Sequence, residues 1–309
     1  MIVTVTMNPA IDKTVEIGKF EYSGLNRIKS SISDAGGKGI NVSKTIKHLG
    51  GQTTATGLMG GNSGKIIENA MRELDIPSDF VWVEGETRTN MKVLDADGNV
   101  TELNEPGPVI QKEAVDTLLE KLEKLAGPDT FFVLAGSIPA GVDSGIYGTI
   151  IERVKKKGAK VFLDADGELF TKALAAGPDY IKPNRFELEQ YFSFEGHATD
   201  LELVEMGRKM QAKGIGTVAV SLGGEGALFV LEDTALKAPG LKVEAHSTVG
   251  AGDAMVAALS YGIDSGFDIQ KCIRLGMATS AGAVTTIGTK PPTKELVEEL
   301  MKQVELIEL

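Results

Sequence analysis

The chain predicts an α/β fold in which a central, mostly parallel sheet is covered by helices on both faces and a small second β-sheet is attached. Three observations carry that expectation. Short, continuously apolar runs alternate with amphipathic stretches, glycine-rich turns follow the runs or open the helices, and two segments, 13–33 and 86–104, break the rhythm. Apolar strands separated by helices bury both faces of a parallel sheet, whose ligands bind outside the carboxyl ends of its strands. With 309 residues and 42% hydrophobic content the chain can fill a large core, and it is expected to form one domain over 1–309.

Each element has its own signal. Residues 2–5 are β-rich and lead into Thr6-Met7-Asn8-Pro9-Ala10-Ile11-Asp12, which brings an aspartate to a strand end. Residues 13–33 read as small antiparallel strands. Asp34-Ala35-Gly36-Gly37-Lys38-Gly39-Ile40-Asn41 opens a helix, because Val42, Ile46 and Leu49 fall on one apolar stripe. In 86–104, Met91-Lys92-Val93-Leu94 and Val100-Thr101-Glu102-Leu103 flank an Asp97-Gly98 turn, again predicting antiparallel strands. The βαβ rhythm resumes with a strand at 131–134, a helix at 143–157, a strand at 161–163 and a helix at 168–175. A helix at 201–213 precedes a strand at 217–220. Finally, Ser247-Thr248-Val249-Gly250-Ala251-Gly252-Asp253 runs into good helix formers at 254–259.

That last turn carries chemistry. Gly250, Ala251 and Gly252 are expected at a helix N-terminus, where unpaired N–H groups and the helix dipole favour an anion. Asp253 then sits where a base could take the proton of a hydroxyl attacking a phosphate. The pattern is suited to phosphoryl transfer. A net charge of −11 argues against a nucleic-acid partner and against adsorption to anionic lipid. Cys272 is the single cysteine, which excludes an internal disulfide and points to a helix core in a reducing compartment. No apolar run approaches the ~20 residues of a membrane helix, so a soluble, cytoplasmic protein is expected.

Several motifs recur in a known order. Asn8-Pro9-Ala10-Ile11-Asp12, Gly36-Gly37-Lys38-Gly39-Ile40-Asn41, Gly136-Ser137-Ile138-Pro139-Ala140-Gly141, Lys182-Pro183-Asn184-Arg185-Phe186-Glu187, Val220-Ser221-Leu222-Gly223-Gly224-Glu225-Gly226-Ala227 and Gly250-Ala251-Gly252-Asp253 together resemble the ribokinase-like, or phosphofructokinase-B, carbohydrate kinase family over essentially the whole chain. The resemblance implies a three-layer sandwich, with 13–33 and 86–104 forming a β-sheet lid that doubles as a homodimer interface. It also implies ATP and Mg²⁺ as cofactors. Asp253 would be the general base over an anion hole of Gly250, Ala251 and Gly252. Glu187, three residues after Asn184, would organise Mg²⁺, with Asp164 as a second candidate ligand in competition with Asp166. Lys182, Asn184, Ser221, Gly223, Gly224, Glu225 and Gly226 would line the nucleotide. Ala278, Thr279, Ala281 and Gly282 suit either a purine or close helix packing.

On the acceptor side, the resemblance gives Asp12, Gly37 and Asn41 to the sugar. Arg27, Lys38, Arg88 and Lys92 are cations in segments that should face it, and a neutral sugar would not require several of them. Glu86-Thr87-Arg88-Thr89-Asn90-Met91-Lys92 resembles the phosphosugar branch, with Asn90 in contact with the acceptor and Ser137 helping to bind its phosphate. The acceptor implied is the 6-hydroxyl of fructose 1-phosphate. Tagatose 6-phosphate and fructose 6-phosphate are the alternatives. A sugar-phosphate sensor without activity is the reading from another class, and the presence of base, anion hole and magnesium element disfavours it. One departure stands out, since Ser247-Thr248-Val249 lacks the acidic residue that helps many relatives form a monovalent-cation site, and strong potassium activation is not expected.

Overall fold

The computed structural model describes residues 1–286 and 288–309. Its strands are β1 (Ile2–Thr6), β2 (Ala10–Glu16), β3 (Ser30–Gly36), β4 (Thr53–Gly60), β5 (Val81–Val83), β6 (Arg88–Leu94), β7 (Val100–Asn104), β8 (Phe131–Ala135), β9 (Lys160–Asp164), β10 (Tyr180–Ile181), β11 (Thr217–Ser221), β12 (Gly226–Val230), β13 (Ala235–Pro239) and β14 (Ile307–Glu308). The helices are α1 (Lys38–His48), α2 (Gly61–Glu73), α3 (Lys112–Leu125), α4 (Ile146–Lys155), α5 (Gly167–Leu174), α6 (Arg185–Tyr191), α7 (Asp200–Gln211), α8 (Ala251–Asp264), α9 (Ile269–Ala283) and α10 (Lys294–Met301).

Ten strands form the main sheet in the order β14-β13-β12-β11-β10-β9-β8-β1-β4-β5. Pairing is parallel from β11 through to β5 and antiparallel from β11 out to β14. Successive side chains of a strand point to opposite faces, and here both faces are buried. Ile2, Phe131, Val133 and Ala219 join a core built with α1, α8, α9 and α10. Val3, Val5, Phe132, Leu134, Val218 and Val220 join a second core under α3 to α7. This is the expected three-layer sandwich. Cys272 is buried in the first of these cores, on α9.

The second sheet is four-stranded, in the order β3-β2-β6-β7. Its pairing corrects the expectation of antiparallel strands throughout, because β2 and β6 run parallel, Asp12 standing beside Asn90, while β2–β3 and β6–β7 are antiparallel. The boundaries also move. Strand β2 begins at Ala10 and β3 ends at Gly36, so the sheet takes in part of the Asn8–Asp12 and Gly36–Asn41 motifs; Ile17 is buried against Val15 and Val93, and 18–29 is a largely exposed connection. The helix expected at 143–157 starts only at Ile146, since the Asp143 side chain accepts from Gly145 N and holds a turn ahead of it. Among the described residues, no helix is long and apolar enough to cross a membrane.

Candidate active site

The main sheet changes direction at β1, with β4 on one side and β8 on the other. Ligands of open α/β sheets bind at such switch points, outside the strand ends. Asn8 follows β1, Gly136 and Ser137 follow β8, Asp164 ends β9 and Lys182 follows β10, so three motifs and the Asp164 carboxylate lie along the carboxyl ends of neighbouring strands beside the switch point.

Gly250 is the N-cap of α8 with φ 84°, a left-handed conformation that a side chain would strain, and it lets the chain turn sharply so that Asp253 falls in the first helical turn. Asp253 is buried, and its Oδ2 accepts from Asn41 Nδ2 at 2.9 Å. Burial, reinforced by the nearby Asp164 charge, pushes its carboxyl up to about 6. Such a group is largely ionised at neutral pH and still basic enough to accept a proton.

Asp164 sits fully inside, at the end of β9. Its Oδ1 lies 3.3 Å from Lys182 Nζ and 3.7 Å from Lys38 Nζ. Burial opposes the Asp164 charge, but Lys182 and Lys38 together outweigh it and hold the carboxyl below its usual range. Asp164 in turn holds the Lys38 ammonium above its ordinary value. Lys182 lies against the turn that precedes Asp253, where a Cβ on Gly252 would be 3.3 Å from its Nζ. Asp166, the competing candidate, is exposed and caps α5.

The other cations belong to the small sheet. Arg88 reaches from the start of β6 to the switch point, where Nη2 donates to Asn8 O at 3.2 Å and to Ser137 Oγ at 3.4 Å. Its Nε is buried without a partner among the described residues. Two residues on, Asn90 Nδ2 donates to Asp12 Oδ1 at 3.1 Å, and Asn90 Oδ1 is likewise buried and unpartnered. Asp12 packs so tightly over β3 that a Cβ on Gly36 would fall 2.0 Å from its Oδ2. Burial raises the Asp12 carboxyl. Lys92 shares this face and lies 3.9 Å from Glu102. Arg27 is exposed in the 18–29 connection. Gly37 caps α1 with φ 104°.

After β10, Asn184 N-caps α6, and its Oδ1 accepts from Glu187 N while Glu187 Oε2 accepts from Asn184 N, both at 2.8 Å. This is a capping box. Burial raises the Glu187 carboxyl. Ser221 N donates to Pro183 O, which ties the end of β11 to the Lys182–Asn184 segment. Gly223, Gly224 and Glu225 form a single 3₁₀ turn, and Glu225 accepts from Arg185 Nη2 at 2.9 Å. Gly226 begins β12 against β13 with φ 109°, and a Cβ there would be 2.0 Å from Ala238 O, so backbone conformation and sheet packing both require a glycine. Ala278 and Thr279 are fully buried and a Cβ on Gly282 would be 2.7 Å from Pro292, which favours close packing for that stretch.

For a divalent cation the available donors are hard carboxylate oxygens, Glu187 Oε1 and Asp164 Oδ2, each on a residue whose other oxygen is already engaged. No group of three or more His, Cys, Asp or Glu clusters for metal binding among the described residues. That sparse set fits Mg²⁺, which keeps several waters and takes few protein ligands. Two residues escaped the sequence reading. Lys44 Nζ donates to Ala35 O at 3.0 Å and ties α1 to β3, and burial lowers its ammonium. Its only signal was its place one turn beyond Asn41 on α1. Arg185, beside Asn184, pairs with Glu225 across 40 residues of chain, a contact that no local pattern signals.

A buried carboxylate in the first turn of a helix and two lysines on a second buried carboxylate lie together at the strand ends, an arrangement suited to a phosphotransferase acting on an alcohol. Residues 5–296 match the pfkB family of carbohydrate kinases. The chain is 36% identical to the 1-phosphofructokinase of Bacillus subtilis, with 100% of both chains covered. It is 31% identical to the D-tagatose-1-phosphate kinase of Bacillus licheniformis, again with 100% of both covered. Among solved structures it resembles phosphofructokinase-2 from Escherichia coli in complex with potassium, with a TM-score of 0.92, 28% identity and 98% of each chain covered. The chain belongs to the PfkB family of carbohydrate kinases, and its relatives support a sugar-phosphate kinase role.

Proposed function

We propose that the protein transfers the γ-phosphoryl group of ATP to the 6-hydroxyl of D-fructose 1-phosphate, forming fructose 1,6-bisphosphate. The observation that carries this reading is the pair of buried, unpartnered atoms, Arg88 Nε and Asn90 Oδ1, beside Asp12 at the switch point. An orphaned guanidinium donor suits a phosphate, and the amide and carboxylate suit hydroxyls, because leaving such groups unpaired costs about 1–3 kcal/mol each. Arg88 then holds the resident phosphate with Ser137, Asp12 and Asn90 grip ring hydroxyls, and Asp253 takes the proton of the far hydroxyl. Backbone N–H groups of Gly250, Ala251 and Gly252 stabilise charge on the transferring group. The nucleotide lies along Ser221 to Glu225 and the Lys182–Asn184 segment. Mg²⁺, held by Glu187 and Asp164 through its waters, neutralises phosphate charge when bound.

The same reading takes 1–309 as one cytoplasmic kinase domain whose small sheet closes over the sugar and pairs with its copy in a homodimer. Ile32, Val100 and Leu103 are exposed on that sheet, and Leu25 and Ile28 in its connection, which supports a covered surface. A second acceptor, D-tagatose 1-phosphate, is favoured by the full-length likeness to the Bacillus licheniformis enzyme. The two sugars differ only in one hydroxyl's configuration. ADP release measured across fructose 1-phosphate, tagatose 1-phosphate, fructose 6-phosphate, tagatose 6-phosphate and fructose tests the assignment. Fructose 1-phosphate is expected to have the highest kcat/KM, a higher value for any other acceptor overturns the assignment, and no ADP release with any of them favours the sensor.

A further inference from the structure

The cations of this site fall into two groups separated by the turn after β8. Arg88 lies on the Ser137 side, with the small sheet. The Lys38 stem instead runs past Gly136, whose Cβ position would lie 3.4 Å from Lys38 Cβ, and its ammonium ends at Asp164, beside Lys182. We infer that Lys38 is a catalytic residue that works with Lys182 as a two-cation clamp on the transferring phosphoryl group, rather than as a ligand of the sugar's own phosphate. Both ammoniums reach one oxygen of Asp164, and Lys182 touches the Gly252 turn. They therefore flank the place where a phosphoryl group meets Asp253.

The chemistry gives such a clamp a task. A bond forms between the acceptor hydroxyl oxygen and the γ-phosphorus as the bond from that phosphorus to the bridging oxygen breaks. The hydroxyl proton passes to the Asp253 carboxylate, and the electron pair of the broken bond leaves on the β-phosphate of ADP. Charge is spread over the three equatorial oxygens throughout, and preorganised cations lower the barrier because they need no rearrangement at that moment. Asp164 supplies the preorganisation. Its single carboxylate offsets the repulsion between two close ammoniums and parks both at the end of β9 before any phosphate arrives. Lys38 also stands at the first residue of α1, so the helix dipole adds to its charge.

The inference rests on the phosphoryl-transfer reading above, and its test separates the two. Lys38→Gln and Arg88→Ala would be compared with fructose 1-phosphate and with fructose as acceptors. For Lys38→Gln, kcat is expected to fall about a hundredfold with either acceptor, in line with loss of one transition-state donor. Calorimetric binding of fructose 1-phosphate alone should stay within about twofold of wild type, while ADP with aluminium fluoride and fructose 1-phosphate, a mimic of the transferring state, should bind at least about tenfold more weakly. Lys38→Arg, which keeps the charge, should recover part of kcat and guards against misfolding of the glutamine variant. If Lys38→Gln instead raises KM for fructose 1-phosphate alone, or weakens its binding without nucleotide, Lys38 belongs to the sugar's phosphate and the inference is overturned. If the wild type phosphorylates neither acceptor, the functional reading itself fails and takes this inference with it.

Discussion

At the scale of single residues, Asp253 carries the sharpest expectations. Its carboxyl is pushed up to about 6 by burial, so the acid limb of kcat/KM for the free enzyme should fall near pH 6 rather than near 4. Asp253→Asn should lower kcat by about 10²–10⁴ while ATP and sugar-phosphate binding survive, because an amide cannot accept the proton. Retention of more than roughly a tenth of kcat would mean that Asp253 only orients the acceptor. The same burial has a stability consequence with a definite sign. A carboxyl raised in the folded state adds stability below its unfolded value of 3.8 and loses it as pH climbs through about 6. At pH 8 the buried charge therefore costs the fold on the order of 2–3 kcal/mol. Thermal melts should find Asp253→Asn more stable than wild type at pH 8, with the gap closing toward pH 4. Arg88→Ala makes a different prediction, a loss of about ten- to a hundredfold in kcat/KM for the phosphosugar and little for the bare sugar. Equal losses on both would make Arg88 structural.

Single elements decide what a motif is for. Asn184 and Glu187 looked like a magnesium element in the sequence, yet their side chains also close the first turn of α6 on each other. The two roles can be separated by substitution. Asn184→Ala should cost about 1 kcal/mol of stability, a typical loss for an N-cap, and melting curves would measure it. Glu187→Gln should keep the cap, since glutamine serves at that position, but raise the Mg²⁺ concentration needed for half-maximal rate. A melting temperature that falls as far in Glu187→Gln as in Asn184→Ala, with no change in Mg²⁺ dependence, would leave Glu187 a purely structural residue. Strand β6 teaches a related lesson. Its period of two sends Arg88, Asn90 and Lys92 to one face with Asp12, while Met91 and Val93 pack on the other with Val15.

For the whole molecule, the exposed apolar side chains of the small sheet make a prediction about assembly. Small sheets are marginal in water unless something covers them, and Ile32, Val100 and Leu103 are about half exposed in the single chain, at 47%, 59% and 56%. Light scattering at micromolar concentration should give a dimer, and Ile32→Lys combined with Val100→Glu should give a monomer with weakened sugar binding. A wild-type monomer with full activity would refute the interface.

The sequence by itself determined the layered fold and the glycine turn that places Asp253 in the first turn of α8. Both are encoded locally. An apolar strand buried on both faces is written as a continuous run, and the turn from Gly250 to Asp253 needs glycine at φ 84° wherever the rest of the chain lies. The parallel pairing of β2 with β6 was not legible, because pairing depends on which strands a crossover brings together, not on either strand's pattern. Nor was the division of the cations. Lys38 and Arg88 both read as sugar-facing, and only the packing of α1 against Gly136 sends one ammonium to Asp164 while β6 carries the other to Ser137. Asn41 shows the same limit, since its amide meets Asp253 across 212 residues of chain. A hydrogen bond between groups so far apart in sequence, like the pKa that burial imposes on Asp253, is a property of the assembled core, and only the tertiary structure could decide it.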